Sequence, residues 1–109
     1  MRRRRALFEA MPFDIVYSPE ALDHLEELRA SDQRRVLDSV DRELRHTPLT
    51  PTRNRKPMRS NRIATWELRV GDFRIYYDPD ADTQTVNIRA VGIKRRNRVT
   101  ISGEEVELS

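Results

Sequence analysis

Arginine and lysine at particular spacings are the residues of this chain with chemistry to offer, and a phosphate is what they suit. In "ELRVGDFRI", Glu67 to Ile75, two arginines flank the dipeptide Gly71-Asp72. Glycine supplies the positive φ that the first central position of a type II′ hairpin turn needs. With that turn, Val70 opposes Phe73, Arg69 opposes Arg74, Leu68 opposes Ile75 and Glu67 opposes Tyr76. Like charges directly across a ladder cost roughly 0.2–1 kcal/mol. A phosphate between Arg69 and Arg74 would convert that repulsion into a two-pronged contact, because guanidinium groups match phosphate oxygens. The competing reading is an ordinary salt bridge from Arg69 to Glu67 with nothing bound.

Other cations gather in three runs: Arg2 to Arg5, the stretch "RNRKPMRSNR" from Arg53 to Arg62, and "KRRNR" from Lys94 to Arg98. Eight of the 18 acids lie between Glu20 and Glu43, so charge is sorted although the net charge is only +3. Sorting of this kind suits a polyanion on one side of the molecule. Arg53, Arg55, Lys56, Arg59, Arg62, Arg89, Arg96 and Arg98 are the candidate contacts to the backbone of such a polyanion. Tyr76, on the same sheet face as the arginine pair, is the candidate for stacking on a base. Any one run taken alone reads equally as solvated surface.

These residues need a scaffold, and the 109-residue chain has room for one small core. "FDIVYS" alternates as a strand. "SPEALDHLEEL" then announces a helix, with Ser18 as cap, Pro19 at the first helical position, and Ala21, Leu22, Leu25 and Leu28 as its apolar stripe. "SDQRRVLDSVDRELRHTP" restarts the pattern, capped by Ser31 or Asp32, with Val36, Leu37, Val40 and Leu44 facing inward. The proline-rich stretch Thr47 to Asn61 reads as a loop. Beyond it the period becomes two: Ala64, Trp66, Leu68 and Val70, then Phe73, Ile75 and Tyr77, then Val86, Ile88 and Ala90. "DPDAD" reads as a second turn, and the tail "ISGEEVELS" fits a short strand or irregular chain equally. The expected fold class is therefore α+β, an N-terminal strand and two-helix hairpin followed by antiparallel strands, with the helices on one face of a small sheet. That leaves the other face without helical cover.

The same reading narrows the surroundings. The sequence has no cysteine and only two histidines, so neither a disulfide nor a thiolate metal site is available, and no metal or cofactor is expected. His24 and His46 read as structural, and Trp66 as core. No apolar run approaches membrane-spanning length, and "MRRRRALFEAMPF" lacks the small-residue cleavage site of a signal peptide. A cytoplasmic protein is expected, with residues 1–10 a frayed basic arm, or an extension upstream of Met11 as the start, and 11–109 the domain.

"WELRVGDFRIYYD" followed by "IRAVGIKRRNR", after a strand and a helical hairpin, resembles the RelE/ParE superfamily of bacterial type II toxins from roughly Phe13 to Ile101. The resemblance implies a small α/β toxin held inactive by a cognate antitoxin. RelE-like members are metal-independent endoribonucleases that cleave mRNA in the ribosomal A site, where the ribose 2′-OH attacks the adjacent phosphate to leave a 2′,3′-cyclic end. ParE-like members poison DNA gyrase, and an inert relative that only binds its antitoxin is a third possibility. By resemblance, Arg69 stands at a hairpin position that is often lysine and can act as base. Arg74 stands where an arginine stabilises the phosphate, and Lys94 with Arg95 where a basic residue assists the leaving group. Two departures matter: Glu67 stands where a second lysine can occur, and Thr100 about where a base-stacking tyrosine is expected. Arginine clamps phosphate well but is a poor base, which makes Lys94 and Glu67 the candidates for moving a proton, with Lys56 of the basic loop a third that reads more readily as a phosphate contact.

Overall fold

The computed structural model describes residues 11–108, so the basic run Arg2 to Arg5 and the reading of an N-terminal arm lie outside the described residues. Strand β1 (Asp14–Tyr17) leads into helix α1 (Pro19–Glu26), where the Ser18 hydroxyl accepts the Ala21 N–H at 3.1 Å and Pro19 opens the first turn. α1 buries Ala21 and Leu25, and Leu28 packs just beyond its end. Leu22, expected in the stripe, is 48% exposed because it sits a third of a turn away from Ala21. Helix α2 (Ala30–Leu44) begins earlier than expected, with Arg29 at the N-cap and no side-chain cap. Asp32 lies inside the first turn, where its carboxylate takes the Arg29 guanidinium at 3.3 Å. Val36, Val40 and Leu44 recur every four residues and are fully buried, with Ser39 completing the stripe; Leu37 lies off it and is exposed.

The sheet runs β2 (Arg55–Pro57), β3 (Trp66–Val70), β4 (Phe73–Asp80), β5 (Thr85–Arg95), β6 (Arg98–Ile101) and β7 (Glu104–Val106), all antiparallel neighbours. β1 pairs in parallel with the first half of β5, on the edge that β6 takes further along. Two expectations change here. The stretch read as a loop contributes β2, whose Pro57 is tolerated because β2 is an edge strand. The "DPDAD" segment is strand as far as Asp80, and the chain turns over residues 81–84 instead. The undecided tail is a hairpin: Arg96 and Asn97, then Ser102 and Gly103, all take positive φ, so β6 and β7 follow through two tight turns.

The β3–β4 hairpin has the register the sequence predicts, with Arg69 opposite Arg74 and Glu67 opposite Tyr76. Gly71 supplies the positive φ, 58°, and Asp72 does not share it, as a type II′ turn requires. The helices cover Trp66, Leu68, Val70, Phe73, Ile75 and Tyr77 on one face. The Tyr77 hydroxyl reaches the Pro48 carbonyl at 2.9 Å and its ring lies 6.0 Å from that of Trp66. The opposite face has no helix but is not open. Ala64, Tyr76 and Ala90 are buried there beneath Met58, Ile63, Val99, Ile101 and Leu108. The loop before β3 and the β6–β7 hairpin thus form the second cover.

Candidate functional site

Lys94 is placed by a defect in the sheet. Tyr77 pairs with Ile88 but Tyr76 with Ala90, which leaves Arg89 as an extra residue on β5. Such a bulge reverses the alternation of every residue after it. Val86 and Ile88 face the helices, Ala90 joins Tyr76 on the far face, and Val91 takes the helix side. Ala90 was expected beside Val86 and Ile88, and that expectation fails at the bulge. The consequence is that Lys94 falls on the face of Glu67, Arg74 and Tyr76. α1 satisfies the backbone groups that the bulge frees: the Ser18 hydroxyl donates to the Arg89 carbonyl at 3.1 Å, and His24 Nδ1 accepts the Val91 N–H at 3.2 Å. His24 thus has the structural role expected of it. The Lys94 N–H donates to the Asp72 carbonyl at 2.8 Å, tying β5 to the hairpin turn. A Cβ at Gly92, opposite Arg74, would be a tight fit, meeting the Thr100 carbonyl at 3.0 Å and the Val99 and Ile101 side chains at 3.1 Å.

Between β2–β3 and the β6–β7 hairpin lies a groove of about 530 Å³. Lys56, Arg59, Lys94 and Arg98 line it together with Glu67, and Glu105 and Glu107 of the C-terminal segment reach it as well. Glu67 is 8% exposed and its Oε2 lies 3.6 Å from Arg69 Nε and 4.0 Å from Lys56 Nζ. Arg69 therefore pairs with Glu67, the competing reading at the outset. Arg74 turns away, its Nη1 donating to the carbonyls of Gly71 at 2.7 Å and Phe73 at 2.9 Å. Its Nε is buried with no partner, as is the Tyr76 hydroxyl. Burial, and then the nearby Glu67 charge, push the Tyr76 phenol above its ordinary range, against a smaller pull from Arg74.

Other candidates fall elsewhere. Tyr76 is fully buried, so its ring is not presented for stacking in this conformation. Arg55, opposite Leu68, faces the helices and not the groove: it is 6% exposed, donates to the Glu43 carbonyl and lies 3.8 Å from the Glu43 carboxylate. Arg62 and Arg89 line a second groove of about 570 Å³ beside α1, with Arg89 also paired to Asp78 at 3.6 Å. Arg95 falls on the opposite side of β5 from Lys94, in a recess with Ile93, Thr100 and its ladder partner Arg98, which also borders the groove, and Arg96 sits at the tip of the β5–β6 turn. Arg53 is exposed in the loop before β2. Asn97, Glu105 and Glu107 were missed as lining residues. The Arg96-Asn97 turn had a signal in the sequence, since asparagine tolerates positive φ, but which groove it meets did not. Among the described residues, no group of three or more His, Asp or Glu could hold a metal ion, and no helix is long and apolar enough to cross a membrane.

A bulged antiparallel sheet with two helices on one face and a basic groove on the other defines the class of small α+β toxins. The chain belongs to the ParE toxin family of the type II toxin–antitoxin system parDE, whose model matches residues 15–98. It is similar to a chain of the RelBE2 toxin–antitoxin complex from Mycobacterium tuberculosis, at 26% identity and a TM-score of 0.68 over 78% of this chain and 94% of that one. A chain of the archaeal RelE–RelB complex from Pyrococcus horikoshii shares the fold at 18% identity and a TM-score of 0.59, over 79% and 99% of the two chains. No curated protein matches the chain. These likenesses bear out the RelE/ParE resemblance and the expected α+β arrangement.

Proposed function

We propose that this type II toxin acts in the cytoplasm as a ribosome-dependent mRNA endoribonuclease, inhibiting translation. The observation that supports this reading is the meeting of Glu67 and Lys94 in one groove with Lys56, Arg59 and Arg98. Cleavage by a ribose 2′-OH needs a base to take its proton, cations to hold the charged phosphorane, and a proton for the departing 5′-oxygen. Glu67 is the acceptor, desolvated but flanked by Arg69 and Lys56. Lys94 is the donor to the leaving group, while Lys56, Arg59 and Arg98 hold phosphates on either side. The products are a 2′,3′-cyclic phosphate and a 5′-OH, and no electron transfer is involved. Arg69 contributes by orienting Glu67, and Arg74 by holding the turn to which Lys94 is tied. A cognate antitoxin is the expected partner, since both similar structures are complexes of that kind.

The test is to express the chain under tight control and map mRNA 5′ ends during growth arrest. New in-frame ends within codons, absent for Lys94→Ala and Glu67→Gln, are the expected result. The second reading is a gyrase poison, favoured by the match to the ParE model and by the burial of Tyr76 away from any base. Arrest with DNA breaks and intact mRNA would establish it. No arrest at all would mark an inert relative.

A further inference from the structure

The C-terminal segment enters the groove with the chemistry of the ligand proposed for it. Residues Glu105 to Leu108 line the groove beside Lys56, Arg59 and Lys94, while the Glu105 carboxylate and Arg98 Nε, 3.7 Å apart, lie on the other face of β6–β7. Leu108 packs on the buried cluster of Ala64, Tyr76 and Ala90. An acidic segment thus runs along the groove's cations, and Leu108 joins the apolar cover over the cluster that holds Tyr76. Beneath this cover lie two polar groups with no partner, the Tyr76 hydroxyl and Arg74 Nε, next to a Glu67 carboxylate that is itself almost fully buried. Buried donors without partners are expensive. A cover that leaves them so is less than an optimal permanent lid.

The cover is also weakly held. β7 has three residues, pairs only with β6, and forms the edge of the sheet. The Arg98–Glu105 pair is 75% and 59% exposed, and pairs of that kind contribute little in water. We propose that the segment Glu104 to Leu108 is an intramolecular competitor that occupies the groove as a stand-in for a single-stranded RNA, and that RNA binds by displacing it. Displacement opens the groove beside Lys56, Arg59 and Lys94 and removes Leu108 from the cover over Tyr76. This rests on the groove being the RNA site, and the experiment separates the two ideas.

The full-length protein is compared with Glu105→Gln/Glu107→Gln and with Glu26→Gln/Glu27→Gln, a control of equal charge change on the exposed side of α1. Binding of a single-stranded RNA dodecamer and of inorganic polyphosphate is measured at fixed salt, with hydrogen exchange followed at residues 99–108. The groove variant is expected to bind both polyanions about three- to tenfold more tightly than the wild type, the control to change less than about twofold, and the gain to shrink as salt rises. Exchange at residues 104–108 is expected to quicken when either polyanion binds. If polyphosphate shows this pattern and RNA binds to none of the proteins, the competitor stands and the RNA reading falls. Equal gains in the two variants, or β7 amides unchanged by bound polyanion, overturn the proposal.

Discussion

Arg69 and Arg74 are partners across the β3–β4 ladder, yet their guanidinium groups part: Arg69 leans along its own strand to Glu67, and Arg74 folds back onto the Gly71 and Phe73 carbonyls. The repulsion of the pair is relieved within the protein, each guanidinium turning to partners of its own. What reaches the groove from this hairpin is the carboxylate that Arg69 holds.

The two arginines should therefore behave differently. Arg74→Ala removes hydrogen bonds that lock the turn and is expected to cost about 1–2 kcal/mol. Arg69→Ala leaves the almost fully buried Glu67 carboxylate without its nearer cation and is expected to cost more, about 3 kcal/mol. Urea unfolding of the two variants measures both, and equal losses would mean that the pair acts as one unit.

Adjacent residues Arg55 and Lys56 give a sharper contrast, because β2 sends them to opposite faces. Arg55→Ala leaves Glu43 without its buried partner and is expected to destabilise by about 3 kcal/mol with RNA affinity unchanged. Lys56→Ala is expected to leave stability within about 0.5 kcal/mol while weakening RNA binding and flattening its salt dependence. Unfolding curves and anisotropy titrations on the same two proteins decide it.

Catalysis gives the next expectation. Removing a positioned proton donor or acceptor lowers rates by about 10²–10⁴-fold. Glu67→Gln and Lys94→Ala should each do so in ribosome-programmed cleavage assays, with unchanged thermal melting. A variant that retains wild-type cleavage would remove its residue from the proposed chemistry.

The bulge depends on a residue outside the groove. His24→Leu leaves the Val91 N–H without an acceptor and is expected to cost about 1–3 kcal/mol. Hydrogen exchange at Val91 should quicken, and Lys94 should change its reactivity toward amine reagents as the register relaxes. His24→Asn, which keeps an acceptor, should restore part of both. Protected Val91 amides in the leucine variant would show that the bulge holds without this bond.

Alkaline pH tests the two covers at once. Burial pushes the phenols of Tyr76 and Tyr77 above the ordinary value, and burial followed by the Asp41 charge pushes Tyr17 up to about 12. The folded state therefore favours the neutral phenol. Its stability is intact below the unfolded value near 10 and is lost as pH rises toward the folded values. Each buried phenol contributes a slope of about 1.4 kcal/mol per pH unit in that window. Tyrosinate absorbance should appear together with loss of near-ultraviolet circular dichroism, and tyrosinate forming in a still-folded protein would show that the rings are accessible.

Much of this arrangement was legible in the residues. Ser18-Pro19 announces α1, and the alternation of Trp66, Leu68, Val70, Phe73, Ile75 and Tyr77 around Gly71-Asp72 specifies the hairpin and its register, because turn type and a period of two are local properties. The basic runs marked the groove's cations, and the two-helix hairpin predicted which face is covered. Within β3 and β4 the faces were assigned correctly, whereas Ala64, just before β3, and Ala90, beyond the bulge, lie on the face of Tyr76 and not on the helix side expected of them.

What the sequence by itself determined, then, is the order of the elements, the hairpin register and the supply of charge. The tertiary structure alone decided which charges meet. Arg89 bulges because Ser18 and His24, far away in the chain, satisfy the backbone groups it frees, and that single extra residue moves Lys94 to the face of Glu67. Arg55 became structural because Glu43 of α2 was there to receive it, and Tyr76 was buried because the β6–β7 hairpin folds back over it. Each outcome depends on a partner from a separate part of the chain, and no local pattern encodes such a partner.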